Sequence, residues 1–350
     1  MRQVPDRPDA ERRGRGSHLH RIVAVTLTVL AALVIAACGS SSSSSSASGS
    51  GASGGSSSSA TSSTSSTAAS GGSAAQPGKG KPAITLGTKN FTEEFVIGAL
   101  YQQVLQHAGY TVNYKPNIGA TEVVDKALTS GQIDAYPEYT GESVATVFNI
   151  TTPVTSPQQE YQLAKAAYAK RGQSMSDITP FYDTDAIATL KTYASQHGLR
   201  TMTDLKKLPH FTLGARPEFE GRQEGAAGMR KAYGINNFAF KSLALGLQYQ
   251  ALDSHSVDAA DIFSTDPQLA SGKYAVLSDP KHIFGYQNIA LVINTKKLDQ
   301  LGGASFMGLI NKVNSLLTTP AVIAMNKAVA IDKQSPAAVA QSFLKANGLV

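Results

Sequence analysis

The sequence predicts an α/β protein whose two lobes face each other across a cleft. Three observations carry this. The first is a strand–helix–strand–helix–strand alternation between Ala83 and Tyr139, which implies a parallel sheet with helices on both faces. The second is an internal echo. Gly131-Gln-Ile-Asp134-Ala follows one helix and Ser256-Val-Asp258-Ala follows another, and each leads into a strand ending in aromatics, at Tyr136 to Tyr139 and at Phe263. The third is size. Of 350 residues, 83–350 read as folded, roughly 268 residues and enough for two cores.

The chain opens with an address. Residues 1–21 hold six arginines against three acids, and residues 22–37 hold no charge. That apolar run is short for a membrane span and fits the core of a secretory signal. It ends Ile35-Ala36-Ala37-Cys38, which resembles a bacterial lipobox, so Cys38 is the expected lipidation site and residues 1–38 the signal peptide. An uncleaved anchor with an incidental cysteine is the competing reading. Residues 39–82 are almost entirely Ser, Gly, Ala and Thr, with seven serines from Ser40 to Ser46. Such a composition buries too little apolar surface to offset chain entropy and reads as a disordered tether.

The elements of the body follow in order. Ala83–Gly87 is β-prone. Phe91–His107 has helical apolar spacing, with Thr92 as N-cap and Gly109 as stop. Thr111–Tyr114 is a strand, Thr121–Thr129 a helix closed by Ser130-Gly131, and Ile133–Tyr136 a third strand. Thr179–Leu190 reads as the crossing into the second lobe, Leu243–Leu252 as a helix within it, and Phe284–Asn294 as the return. Gly308–Leu317, Pro320–Asp332 and Pro336–Ala346 read as helices packing back on the first lobe. The resulting division is 83–184 and 288–350 for lobe one and 185–287 for lobe two.

Composition excludes several functions. The formal charge is +6, but the N-terminal segment supplies three of these charges and Lys79 and Lys81 two more. The body is near neutral and has no Lys/Arg cluster, which excludes nucleic acid as the main ligand. Cys38 is the only cysteine, so no intrachain disulfide and no Cys-based zinc site can form. The five histidines of the body are scattered, and no metal or cofactor is expected. The body lacks GxSxG, Walker A and GxGxxG motifs; a GxSxG-like run occurs only in the low-complexity linker. Glu93 and Glu94 are adjacent and splay apart on a helix, a poor acid/base pair. The body is not expected to be an enzyme.

Two blocks are more specific: Gly87-Thr88-Lys89-Asn90-Phe91-Thr92-Glu93 and Ile133-Asp134-Ala135-Tyr136-Pro137-Glu138-Tyr139-Thr140-Gly141. They resemble the substrate-binding proteins of osmoprotectant ABC transporters, which take glycine betaine, choline, carnitine and relatives. The resemblance spans about 83–350. It implies the two-lobe periplasmic-binding fold (type II), with two crossings and a ligand cleft at the hinge. It also implies a monomer lipid-anchored outside the cytoplasmic membrane that delivers ligand to an ABC permease and its ATPase. A quaternary ammonium cannot donate strong hydrogen bonds, so the family holds it against aromatic faces, each contributing about 0.5–2 kcal/mol.

By position, Lys89 matches the first-block lysine that can meet a ligand carboxylate. Tyr139 matches an aromatic of the box, and Arg222 the ligand-facing arginine of lobe two. Asp183 falls in the first crossing near the ammonium, and Phe263 stands where a box aromatic is expected. The return strand offers Tyr286 or Gln287. Two departures add acidity: Glu142 follows Gly141 where the family often has threonine, and Asp185 stands where it often has an aromatic. A carboxylate at Glu142 some ~4 Å from a ligand carboxylate would cost up to about 4 kcal/mol at an effective dielectric of 20. Hence Glu142 points away, or the ligand is other than a simple betaine. The ligand class read here is a zwitterion or a plain cation such as choline; alternatives are another cationic or amino-acid-like solute, or a sensory role.

Overall fold

A computed structural model describes residues 76–350. The signal, Cys38 and the tether up to residue 75 lie outside the described residues. The end of the expected tether is already packed. Gly78 is buried and donates its N–H to the Ala108 carbonyl at 2.9 Å, so the folded body begins before residue 83.

Among the described residues, ten strands form two five-stranded sheets. The first contains β1 (Ile84–Lys89), β2 (Val112–Gly119), β3 (Ala135–Tyr139), β4 (Gln173–Met175) and β10 (Ile289–Asn294), in the order β2-β1-β3-β10-β4. The second contains β5 (Asp185–Leu190), β6 (Phe211–Ala215), β7 (Phe238–Ser242), β8 (Ala259–Phe263) and β9 (Tyr274–Leu277), in the order β7-β6-β8-β5-β9. Each sheet has a parallel half and one strand running against it: β10 is antiparallel to β3 and β4, and β5 to β8 and β9. The expected sheets are thus mixed rather than parallel. Each antiparallel strand lies just after a passage between sheets, β5 following the first and β10 the second. The segments read from sequence as crossings therefore contain a strand each.

The echo is real and larger than read. Thr85 N–H donates to Asp134 Oδ2 at 2.7 Å while Asp134 N–H donates to the Thr85 carbonyl at 2.8 Å. Thr212 and Asp258 make the same clasp at 2.7 and 3.0 Å. Register agrees, with Leu86 opposite Ala135 and Leu213 opposite Ala259. Each aspartate fixes how its helix–strand junction enters the sheet.

Both sheets are apolar on both faces, as strands covered by helices must be. Along β10, Ile289, Leu291 and Ile293 join one cluster with Leu86, Leu100 and Phe306, while Ala290 and Val292 join another with Tyr136 and Tyr168. The C-terminal helices Thr295–Leu301, Ala304–Leu316, Thr319–Ala330 and Pro336–Ala346 supply Phe306, Ile310, Val313 and Leu344 to the first of these cores. Ser156 and Ser335 cap the helices Pro157–Lys170 and Pro336–Ala346, each with proline in the first turn.

Local differences have local causes. The helix expected over Leu243–Leu252 runs only Gln248–Asp253. Leu243 N–H instead extends the sheet by bonding the Ala215 carbonyl at 2.8 Å, and Gly246 at φ 90 breaks any continuous helix. Thr92 is the first helical residue of Thr92–His107, and Phe91 takes the cap position in extended conformation. Where the chain passes between lobes, Tyr182 and Asn288 pair antiparallel, and Asn288 Nδ2 donates to the carbonyls of Thr179 and Phe181 at 3.0 Å each. No helix among the described residues is long and apolar enough to cross a membrane.

Candidate ligand-binding cleft

The cleft lies where strand ends meet. Lys89 closes β1, Tyr139 closes β3, Phe263 closes β8, and Arg216 follows β6 directly. In sheets of this kind the space beyond the carboxyl ends of strands is where ligands collect. Asp185 reaches the same edge because β5 runs antiparallel and begins there.

Three aromatic rings converge from both lobes. Phe91 lies 5.9 Å from Tyr139 at 34° and 5.2 Å from Phe263 at 21°. Lys89 Nζ sits 4.7 Å from the Tyr139 ring centre, and the Arg216 guanidinium 5.4 Å from that of Phe263. Tyr139 Oη donates to Glu93 Oε1 at 2.8 Å, which fixes the ring.

The cations are matched by carboxylates. Lys89 pairs with buried Glu138. Arg216 is forked onto Asp185 at 2.5 and 2.9 Å, meets Asp261 at 2.6 Å, and lies 3.8 Å from Glu142. Burial alone would lower the Arg216 pKa, but Asp185 and Asp261 overcome it and hold the group charged. Arg222 reaches across the cleft, donating to Glu142 Oε1 at 2.8 Å and to Glu122 at 2.9 and 3.2 Å. Glu142 also accepts from Thr121 Oγ1 at 2.8 Å, and its N–H donates to Gln287 Oε1 at 3.0 Å. Burial pushes the Glu142 carboxyl up, but Arg222, Lys89 and Arg216 outweigh it and hold it below the usual range. Asp183 goes the other way: burial, then the charges of Glu93 and Asp266, push it well above the usual carboxylate range.

Of the residues expected from sequence, Lys89, Tyr139, Glu142, Asp183, Asp185, Arg222, Phe263 and Gln287 line one small cavity of ≈ 40 Å³. Tyr286 stands apart: its ring stacks on His282 at 6.2 Å, and its backbone carbonyl accepts from Thr140 Oγ1 at 2.6 Å. Of the two, Gln287, just ahead of β10, lines the cavity. Glu142 does not point away. It stays in the cleft, its charge matched by Arg222. Asp185 likewise belongs to Arg216.

Sequence reading missed Arg216 and Phe91. Arg216 carried a signal: Ile84-Thr-Leu-Gly-Thr-Lys89 and Phe211-Thr-Leu-Gly-Ala-Arg216 are one motif, with the cation at the same place. Phe91 lay inside the first quoted block but was assigned to the helix start.

Two mixed sheets of one strand order, joined by paired passages and closing on an aromatic and ionic cleft, define a two-lobed solute-binding protein. The chain belongs to the OpuAC family, the substrate binding domain of the ABC-type glycine betaine transport system, whose model matches residues 82–346. It is 29% identical over 279 residues to the glycine-betaine-binding protein of Pseudomonas aeruginosa, covering 76% of this chain and 88% of that protein. It is 27% identical over 272 residues to the ergothioneine transport permease/ergothioneine binding protein EgtU of Helicobacter pylori, covering 77% of this chain and 48% of that protein. The chain thus spans about half the length of that relative. A crystal structure described as a glycine betaine/carnitine/choline ABC transporter superposes with a TM-score of 0.61 at 24% identity, covering 76% of this chain and 99% of the other, and shares its fold.

Proposed function

We propose that this substrate-binding protein captures a small solute carrying a quaternary ammonium, as a zwitterion or a plain cation, between its lobes and passes it to an ABC permease. The carrying observation is the convergence of Phe91, Tyr139 and Phe263 from both lobes beside Lys89 and Arg216. Aromatic faces attract a cation that cannot donate hydrogen bonds, at about 0.5–2 kcal/mol per face. Lys89 supplies the anion contact. Its ammonium has three donors and, among the described residues, one carboxylate partner, Glu138, so a ligand carboxylate can join it. Glu142 does not oppose this, because Arg222 already matches its charge.

The ligand reading extends to the relatives. One is named for glycine betaine and the other for ergothioneine, and both ligands are trimethylammonium carboxylates. Closure of the lobes around such a solute is the capture step, and the permease reads the closed form. Cys38 anchors the protein by lipid to the outer face of the cytoplasmic membrane, and the body works as a monomer without catalysing a reaction.

The test is a thermal-shift and calorimetry panel of glycine betaine, carnitine, choline, ergothioneine, amino acids and an uncharged sugar. A ligand at 100 times its dissociation constant stabilises by about 2.7 kcal/mol. Stabilisation by quaternary amines supports the reading; stabilisation by the sugar alone overturns it.

A further inference from the structure

One carboxyl is sealed between the lobes with no cation to meet it. Glu224 lies in lobe two, in the loop that carries Arg222, and is 2% exposed. Its Oε1 accepts from Thr146 Oγ1 of lobe one. Its Oε2 is buried and has no hydrogen-bond partner among the described residues. Gly141, Val144, Ala145 and Ile150 of lobe one face the same groove, so lobe one provides both the cover and the hydroxyl.

The charges around Glu224 are committed elsewhere. Arg222 is turned to Glu142 and Glu122. Glu142, from lobe one, repels Glu224, while Arg222 attracts it. The groove also holds Glu160, from the helix Pro157–Lys170, and Lys281 and His282, which precede the return passage. Glu160 accepts from Tyr286 N–H, Lys281 donates to the Ala232 carbonyl, and the His282 ring stacks on Tyr286.

An anion with one oxygen unpaired in a dry seam has lost hydration that nothing replaces. A neutral carboxyl fits better. Its hydroxyl can donate to Thr146, and the oxygen left over is a carbonyl rather than half of an anion. Burial, then Glu142, push the Glu224 carboxyl up to about 8 from 4.5, against the pull of Thr146 and Arg222. When the lobes part, Glu224 loses Thr146 and its lobe-one cover and meets water. Between those two values the closed form therefore holds a proton that the open form releases. Acidification then favours the closed form by up to about tenfold per pH unit, and the gain is absent well above 8.

We propose that closing the lobes takes up a proton at Glu224, so that ligand capture is proton-coupled: acid surroundings favour capture and alkaline ones favour release. This rests on the closure step of the function proposed above, and not on which ligand is captured.

The experiment is calorimetric titration of the full chain with glycine betaine, from about pH 6 to about pH 9, in buffers of different ionisation enthalpy, which counts the protons taken up. Glycine betaine itself titrates nowhere in that range. The variant is Glu224→Gln, which resembles the protonated carboxyl in size and charge. Wild type and variant should bind alike near pH 6, and above about pH 8 the variant should bind at least about tenfold tighter. Near neutrality it should also take up about one proton fewer per ligand. Uptake at the cleft carboxyls Glu93, Asp183 and Asp266 is common to both proteins and cancels in the comparison. Equal proton counts, or a constant affinity ratio across the range, would overturn the inference. Should glycine betaine not bind, only the ligand reading fails, and small-angle scattering of the ligand-free chain decides. A radius of gyration that grows with pH in wild type but not in Glu224→Gln supports the proton latch, and the same pH response in both proteins overturns it.

Discussion

Lys89 and Arg216 occupy the same place in the two lobes. Each lies four residues beyond a threonine clasped by an aspartate, Thr85 by Asp134 and Thr212 by Asp258. Each brings a buried cation to the cleft and a carboxylate to meet it, Glu138 in one lobe and Asp261 in the other. The cleft is built from two copies of one strand-end device, turned toward each other.

Arg216→Ala should be severely destabilising. It leaves Asp185 and Asp261, both buried, without their cation, a loss of about 3–5 kcal/mol for a broken buried pair. Denaturant unfolding of wild type and variant measures it. A loss below about 1 kcal/mol would mean the network is not formed in solution.

Arg222 acts across the lobes, and its bond to Glu142 should help hold them together. Its bond to Glu122 adds less, because that carboxylate is half exposed. Arg222→Ala should therefore enlarge the ligand-free protein in small-angle scattering and weaken ligand binding, since less of the population is closed. Superimposable scattering curves with unchanged affinity would assign Arg222 no part in closure.

Stability should fall as pH rises from the acid side of neutrality. Burial pushes both Glu94 and Glu224 up to about 8 from 4.5. Between those values the folded state holds protons that the unfolded chain releases, so stability drops by up to about 1.4 kcal/mol per pH unit for each group and levels off above 8. Glu142 has the opposite sign. Its lowered carboxyl adds stability above about pH 4.5 that is lost as acid protonates it. Melting curves of wild type and Glu94→Gln from pH 5 to about 9 should show a shallower decline in the variant; parallel curves would contradict the assignment.

The loop that carries Arg222 tolerates no side chain at Gly228. A Cβ there would stand 1.8 Å from the Gln223 carbonyl oxygen, and one at Gly225 2.3 Å from that of Phe219. These are backbone atoms and cannot swing aside. Gly228→Ala should cost about 1–3 kcal/mol and loosen the Arg222–Glu142 bond. A fully stable Gly228→Ala protein that binds as wild type does would show the loop to be malleable.

Much of this was legible in the sequence because it rests on short-range patterns. The periodicity of Thr121–Thr129, the helix–Gly–strand junction at Gly131 and the two motif blocks placed β1, β2 and β3 and put Lys89 and Tyr139 at strand ends. What escaped depends on long-range pairing. That β10 returns antiparallel between β3 and β4 has no local signature. Nor does the match of Glu142 to Arg222, eighty positions apart in sequence. Glu142 and Asp185 looked like an excess of negative charge because their partners lie in the other lobe or on another strand. Phe91 was overlooked for another reason: a residue at a helix start is ordinarily judged as a cap, and this one offers its ring to the cleft.

The most direct test of the central claim is calorimetric titration of the full chain with glycine betaine, repeated on Tyr139→Ala and Phe263→Ala. The account predicts binding by wild type and a loss of about 3- to 30-fold per aromatic removed. Failure of every quaternary amine to bind, or binding indifferent to both substitutions, would contradict it.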